Sequence, residues 1–148
     1  MQLNDQKSSK ESYRDLMSKT SKSFLIDVRS NKELFDVGVA DFSEKPEALV
    51  FCEWRYYPSM ELNLNFFDEL NRKLNLAEVE ALYFLCAAGI RSQEAATFMS
   101  NRVKELNLSI KCINVSDGFN GNKKAYLGFG KASGWKAVGL PCCQVKKP

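Results

Sequence analysis

Four short apolar runs recur along the chain, separated by stretches with helical spacing, and this alternation constrains the fold more than any other feature. The runs are Phe24-Leu25-Ile26-Asp27-Val28, Ala48-Leu49-Val50-Phe51-Cys52, Leu82-Tyr83-Phe84-Leu85-Cys86 and Ile110-Lys111-Cys112-Ile113-Asn114-Val115. Short, nearly continuous apolar segments of this kind mark parallel strands covered on both faces. Between them, Ser8-Ser9-Lys10-Glu11 forms a capping-box pattern ahead of Tyr13, Leu16 and Met17, and Ser30-Asn31-Lys32-Glu33 forms another ahead of Leu34 and Phe35. Phe66, Phe67, Leu70 and Leu74 recur at helical spacing, with Asp68, Glu69, Arg72 and Lys73 on the opposite side. Ala95, Met99, Val103 and Leu106 repeat the pattern. Strands alternating with helices predict an α/β fold in which a parallel sheet is flanked by helices.

The length of 148 residues fits one domain, taken as residues 1–148, with a core over about 12–144 between a polar N-terminal tail and a basic C-terminal tail. Apolar residues make up 45% and charged residues 26%, which excludes a disordered or disulfide-scaffold chain. The net charge of +3 is too mild to call for a nucleic-acid partner, and no aromatic–basic RNA-binding motif is present. The chain has no histidine, so Ser-His or Cys-His catalysis and histidine-ligated metals are ruled out. The five cysteines, 52, 86, 112, 142 and 143, lack zinc-site spacing. Neither a metal nor a cofactor is expected. The polar N-terminus and the absence of a membrane-length apolar run point to a cytoplasmic protein with free thiols and no membrane partner. Cys52 and Cys112 fall inside strand patterns and read as core. Cys142-Cys143 reads as a loose tail carrying two exposed thiols, with a resolving or acceptor thiol pair as the alternative.

Two regions depart from the alternation. Glu53-Trp54-Arg55-Tyr56-Tyr57-Pro58-Ser59-Met60 is aromatic-rich and reads as a loop at the end of a strand. It either walls a pocket, with Arg55 as an anion contact, or packs on the surface. From Gly118 to Pro148 the chain has six glycines, six lysines and no carboxylate. This reads as an irregular wrap anchored by Trp135, with its lysines on a solvated face.

The chemistry concentrates in Cys86-Ala87-Ala88-Gly89-Ile90-Arg91-Ser92. A buried strand delivers the cysteine at its carboxyl end, and a helix pattern begins at about Ser92. Open α/β sheets bind ligands at this kind of position. Small residues keep the turn tight, so that several N–H groups can converge above the sulfur at the positive end of the helix. Arg91 adds a cation. A free cysteine has a pKa near 8.5, and such surroundings bring it to roughly 3.5–7.5. A thiolate formed this way needs no imidazole base, and the same donors suit a persulfide or an approaching oxyanion.

These residues carry a resemblance to the single-domain rhodaneses, a family of sulfurtransferases. Leu25-Ile26-Asp27-Val28-Arg29, with Glu33 beyond it, resembles the family's Asp-Val-Arg signature. CAAGIRS is similar to its active-site loop. Val115-Ser116-Asp117-Gly118-Phe119 and Gly134-Trp135-Lys136-Ala137-Val138-Gly139-Leu140-Pro141 are similar to its later segments. The resemblance spans about Ser12 to Gln144, and the Trp54–Met60 segment is similar to a bacterial subfamily with Trp-x-x-x-Pro-Ser-Met.

The resemblance implies a three-layer sandwich around a parallel sheet of about five strands. It also implies Cys86 as the catalytic residue that carries a sulfane sulfur. The sulfur would come from thiosulfate or another persulfide and pass to a thiophilic acceptor, which is cyanide in an assay and a small or protein thiol in a cell. On our own reading, the backbone of Ala87, Ala88, Gly89, Ile90, Arg91 and Ser92 would hold the outer sulfur, and Arg91 and Arg55 would meet an anionic donor. Asp27 and Arg29 would brace the loop. Four residues separate Cys86 from Arg91, against five in related cell-cycle phosphatases, so the loop should suit one sulfur atom better than a phosphoryl group. Ala87, Ala88 and Ile90 offer no side-chain donors, which favours a persulfide over thiosulfate as donor. The alternative function is a rhodanese-like binding or redox-sensing module that docks a protein partner without turnover. Either a monomer or a homodimer is compatible with the sequence.

Overall fold

The structure is a computed structural model that describes residues 5–18, 22–121 and 133–145. Its main sheet has five parallel strands: β1 (Asp5–Lys7), β2 (Ser23–Asp27), β4 (Leu49–Phe51), β7 (Ala81–Leu85) and β8 (Lys111–Val115). Their order across the sheet is β1-β8-β7-β2-β4. The helices are α1 (Ser9–Leu16), α2 (Asn31–Val37), α3 (Phe66–Lys73) and α4 (Ile90–Glu105). Two short pairs complete the fold. β3 (Val39–Ala40) pairs antiparallel with β9 (Cys142–Cys143), and β5 (Arg55–Tyr56) pairs antiparallel with β6 (Glu61–Leu62).

Alternation of side chains along the strands divides the core in two. Ile26, Leu82, Phe84 and Cys112 face the side covered by Phe66, Leu70 and Leu74 around α3 and by Ala95, Ala96, Met99 and Val103 of α4. Leu25, Ala81, Tyr83, Leu85, Ile113 and Val115 face the opposite side, covered by Leu16, Phe42, Phe119 and Trp135. The sheet is therefore buried on both faces, which explains why its strands are apolar almost throughout. Both capping boxes form. The Ser8 hydroxyl accepts from the Glu11 N–H, and that of Ser30 accepts from the Glu33 N–H.

Several expectations need correction. Residues 5–7, expected to lie in a polar tail, supply an edge strand of the main sheet paired with β8. Cys142 and Cys143 do not lie on a loose tail but form β9. The Trp54–Met60 segment forms the first strand and the turn of a hairpin rather than an irregular loop, and Trp54 is buried against Phe66 and Phe98. Helix α4 begins at Ile90, two residues before the position expected. Trp135 is fully buried and, as expected, anchors the C-terminal wrap. Residues 122–132 and 146–148 of that wrap, and with them all its lysines except Lys136, lie outside the described residues. No helix among the described residues is long and apolar enough to cross a membrane.

Candidate active site

Cys86 follows β7 directly, and its sulfur is the meeting point of the loop. The N–H groups of Gly89 and Ser92 each donate to Cys86 Sγ at 3.2 Å, and the Ser92 hydroxyl lies 3.1 Å away. Gly89 closes the turn in the left-handed region at φ +88° as the N-cap of α4. A side chain there would also collide with the Ser116 carbonyl, so both conformation and space require glycine. The N–H groups of Ile90 and Arg91, in the first turn of α4, have no hydrogen-bond partner among the described residues. The cysteine itself is only 1% exposed.

The loop is fastened from behind. Phe119 N–H donates to the Cys86 carbonyl at 2.8 Å, and Asn120 N–H donates to the Ala87 carbonyl at 2.9 Å. Gly118, at φ +69°, lets this segment approach, since a Cβ there would strike the Ala87 carbonyl. Asp27 and Arg29 brace the same region. Arg29 donates Nε and one terminal nitrogen to Asp27, at 3.0 and 2.8 Å, and reaches the Gly38 carbonyl at 2.8 Å. Its guanidinium stacks 4.2 Å from the Phe119 ring centroid. Both members of this ion pair have fully buried side chains.

The Ser92 hydroxyl is oriented by Asn114 on β8. Asn114 donates through Nδ2 to the Gly89 carbonyl at 3.1 Å and to Gln6 Oε1 at 2.9 Å. This fixes the amide so that Oδ1 accepts the Ser92 proton at 2.6 Å. A protonated Cys86 then donates to Ser92 Oγ. Asn114 was invisible to sequence reasoning, although a polar residue amid the apolar run of β8 was the available signal.

Arg91 is where the sequence placed it, but its charge is shared. Its two terminal nitrogens grip Glu33 at 2.6 and 2.8 Å, and the side chains are 17% and 27% exposed. The bond to Glu33 holds the Arg91 guanidinium above its ordinary pKa against burial, and the Cys86 and Asp27 charges act in the same direction. Glu33 appeared in the sequence as a capping residue, and its partnership with Arg91 was not anticipated. Arg55 donates to Glu94 at 3.2 Å and to the Met60 carbonyl at 3.1 Å. The Trp54 indole shares Glu94 at 2.9 Å. Arg55 therefore ties the β5–β6 hairpin to α4 rather than bonding the Cys86 loop.

The other thiols have different surroundings. Burial pushes both Cys52 and Cys112 up to about 12, and it also raises Cys142 and Cys143. Among the described residues, Cys86 is the cysteine whose sulfur accepts N–H bonds.

A parallel sheet between helices, with a cysteine loop turning from strand to helix at the sheet's carboxyl end, defines a rhodanese-like α/β fold. The fold is shared with a solved rhodanese-like domain protein from Staphylococcus aureus, at a TM-score of 0.56 and 17% identity over 96% of this chain and 99% of that one. The crystal structure of Rv0390 from M. tuberculosis is similar over 97% of this chain and 100% of that one, at a TM-score of 0.74 and 31% identity. By sequence, the chain belongs to the same family as uncharacterized proteins known from Rickettsia. It is 34% identical over 119 residues to uncharacterized protein RP600 of Rickettsia prowazekii, covering 80% of each chain. It is 32% identical over 128 residues to uncharacterized protein RC0915 of Rickettsia conorii, covering 86% of this chain and 88% of that one. No family model matches the chain.

Proposed function

We propose that the protein is a sulfurtransferase that carries a sulfane sulfur as a persulfide on Cys86. The observation behind this reading is the convergence of the Gly89 and Ser92 N–H groups on Cys86 Sγ at the start of α4. Donors aimed at a sulfur at the positive end of a helix favour an anion there without a base. The N–H groups of Ile90 and Arg91, without a partner among the described residues, supply further positive character for an outer sulfur. The Cys86 thiolate attacks the sulfane sulfur of a donor, a new S–S bond forms, and the donor's S–S bond breaks with its electron pair leaving on the departing group. With thiosulfate that group is sulfite. A thiophile then takes the outer sulfur and restores the thiolate, so cyanide leaves as thiocyanate.

Mass spectrometry after exposure to sulfane-sulfur donors tests the reading. The expected result is a one-sulfur adduct on Cys86 that a reducing thiol removes, together with thiocyanate production that Cys86→Ser abolishes. No adduct with any of several donors would overturn the proposal. An adduct that forms but never turns over would favour the sensing module instead.

A further inference from the structure

The geometry points to Glu33 as the residue that selects the class of sulfur donor, by cancelling the charge of Arg91. This rests on the sulfurtransferase reading and sharpens it. Among the residues of the loop, Arg91 is the one that carries a charge, and both its terminal nitrogens are held by the Glu33 carboxylate at 2.6 and 2.8 Å. The pair is largely withdrawn from solvent, at 17% and 27% side-chain exposure. To an incoming donor it presents a dipole rather than a net positive charge.

The rest of the loop does not compensate. Ala87, Ala88 and Gly89 carry no polar side-chain atoms, the Ser92 proton is committed to Asn114, and Ile90 is 73% exposed at the start of α4. Arg55 is engaged with Glu94 and Met60. A site of this kind gives little attraction to a small dianion. It favours a sulfane sulfur on an organic body of low charge, such as a persulfide or an aromatic thiosulfonate.

Glu33→Gln is the probe. The glutamine carbonyl oxygen can still accept from Ser30 in the capping box and from one Arg91 nitrogen, while the second Arg91 bond is lost together with the charge. Thiosulfate and benzenethiosulfonate are suitable donors because both leave the same persulfide on Cys86, releasing sulfite and benzenesulfinate respectively. One carries two negative charges and the other carries one. An uncompensated Arg91 charge within about 10 Å, in a water-like dielectric, raises loading about fourfold for the dianion and about twofold for the monoanion.

The experiment measures loading rates for both donors in the wild type, Glu33→Gln and the double variant Glu33→Gln/Arg91→Gln. The expected result is that the thiosulfate-to-benzenethiosulfonate ratio rises in the single variant, falls back in the double, and loses its rise at high salt. Taking a ratio cancels any general loss of folded enzyme. Loading by both donors with an unchanged ratio in Glu33→Gln would overturn the role of Glu33 and leave the sulfurtransferase reading standing. Loading of Cys86 by neither donor in any variant would overturn both.

Discussion

Single carboxylates do several jobs in this molecule, and Glu33 shows how their effects can be separated by pH. Burial works to raise its pKa, but hydrogen bonds and charge from Arg91, with bonds from Ser30, hold it down at about 2 against an ordinary 4.5. A group depressed on folding contributes stability that is complete above its unfolded value and is lost as pH falls through its folded one. The window here runs from about pH 4.5 down to about pH 2, and the gap corresponds to at most roughly 3 kcal/mol. Urea denaturation of the wild type and Glu33→Gln should therefore give stability curves that differ by up to that amount at pH 7 and converge as the solution is acidified. Curves that stay parallel down to pH 2.5 would show that the carboxylate charge plays no part in holding α2 to the loop.

The elements were legible in the sequence where a local signal specified them. Both capping boxes mark the starts of α1 and α2, and four of the five sheet strands sit within a residue or two of apolar runs. β1 was missed because Asp5-Gln6-Lys7 has no apolar residue, and its pairing comes from β8, more than a hundred residues away. β9 was missed for a similar reason, since its partner β3 is two residues long and distant in sequence. In the site, the cysteine turn was legible from its small residues. The Asn114 clamp was not, because its contacts with Gly89 and Gln6 span 25 and 108 residues. β1 therefore matters in two ways, covering an edge of β8 and supplying Gln6 to Asn114. Removing residues 1–7 should expose that edge to aggregation and speed amide exchange along β8. Exchange rates in β8 equal to those of the full chain would mean that the strand adds nothing to the sheet.

At the scale of the whole molecule, Arg29 connects parts that the sheet alone leaves separate. From the end of β2 it grips Asp27, reaches the carbonyl of Gly38 beside β3, and stacks on Phe119, whose N–H fastens the Cys86 carbonyl. The C-terminal wrap joins the same assembly. Trp135 N–H donates to the Gly118 carbonyl, and its indole donates to the Pro141 carbonyl just before β9. A lysine has one compact ammonium and cannot hold a carboxylate in a fork, bond a carbonyl and stack on a ring together. Arg29→Lys keeps the charge but leaves Asp27 or Gly38 short of a donor in a fully buried setting. Loss of a buried partner of this kind costs about 3 kcal/mol or more. The variant should unfold at a clearly lower urea midpoint with an unchanged slope. The effect should also reach the active site, since a displaced Phe119 segment loosens the carbonyl that positions Cys86, so sulfur loading should slow under conditions where the protein is still folded. Normal loading in a destabilised Arg29→Lys would confine Arg29 to stability and separate the brace from the loop it stands behind.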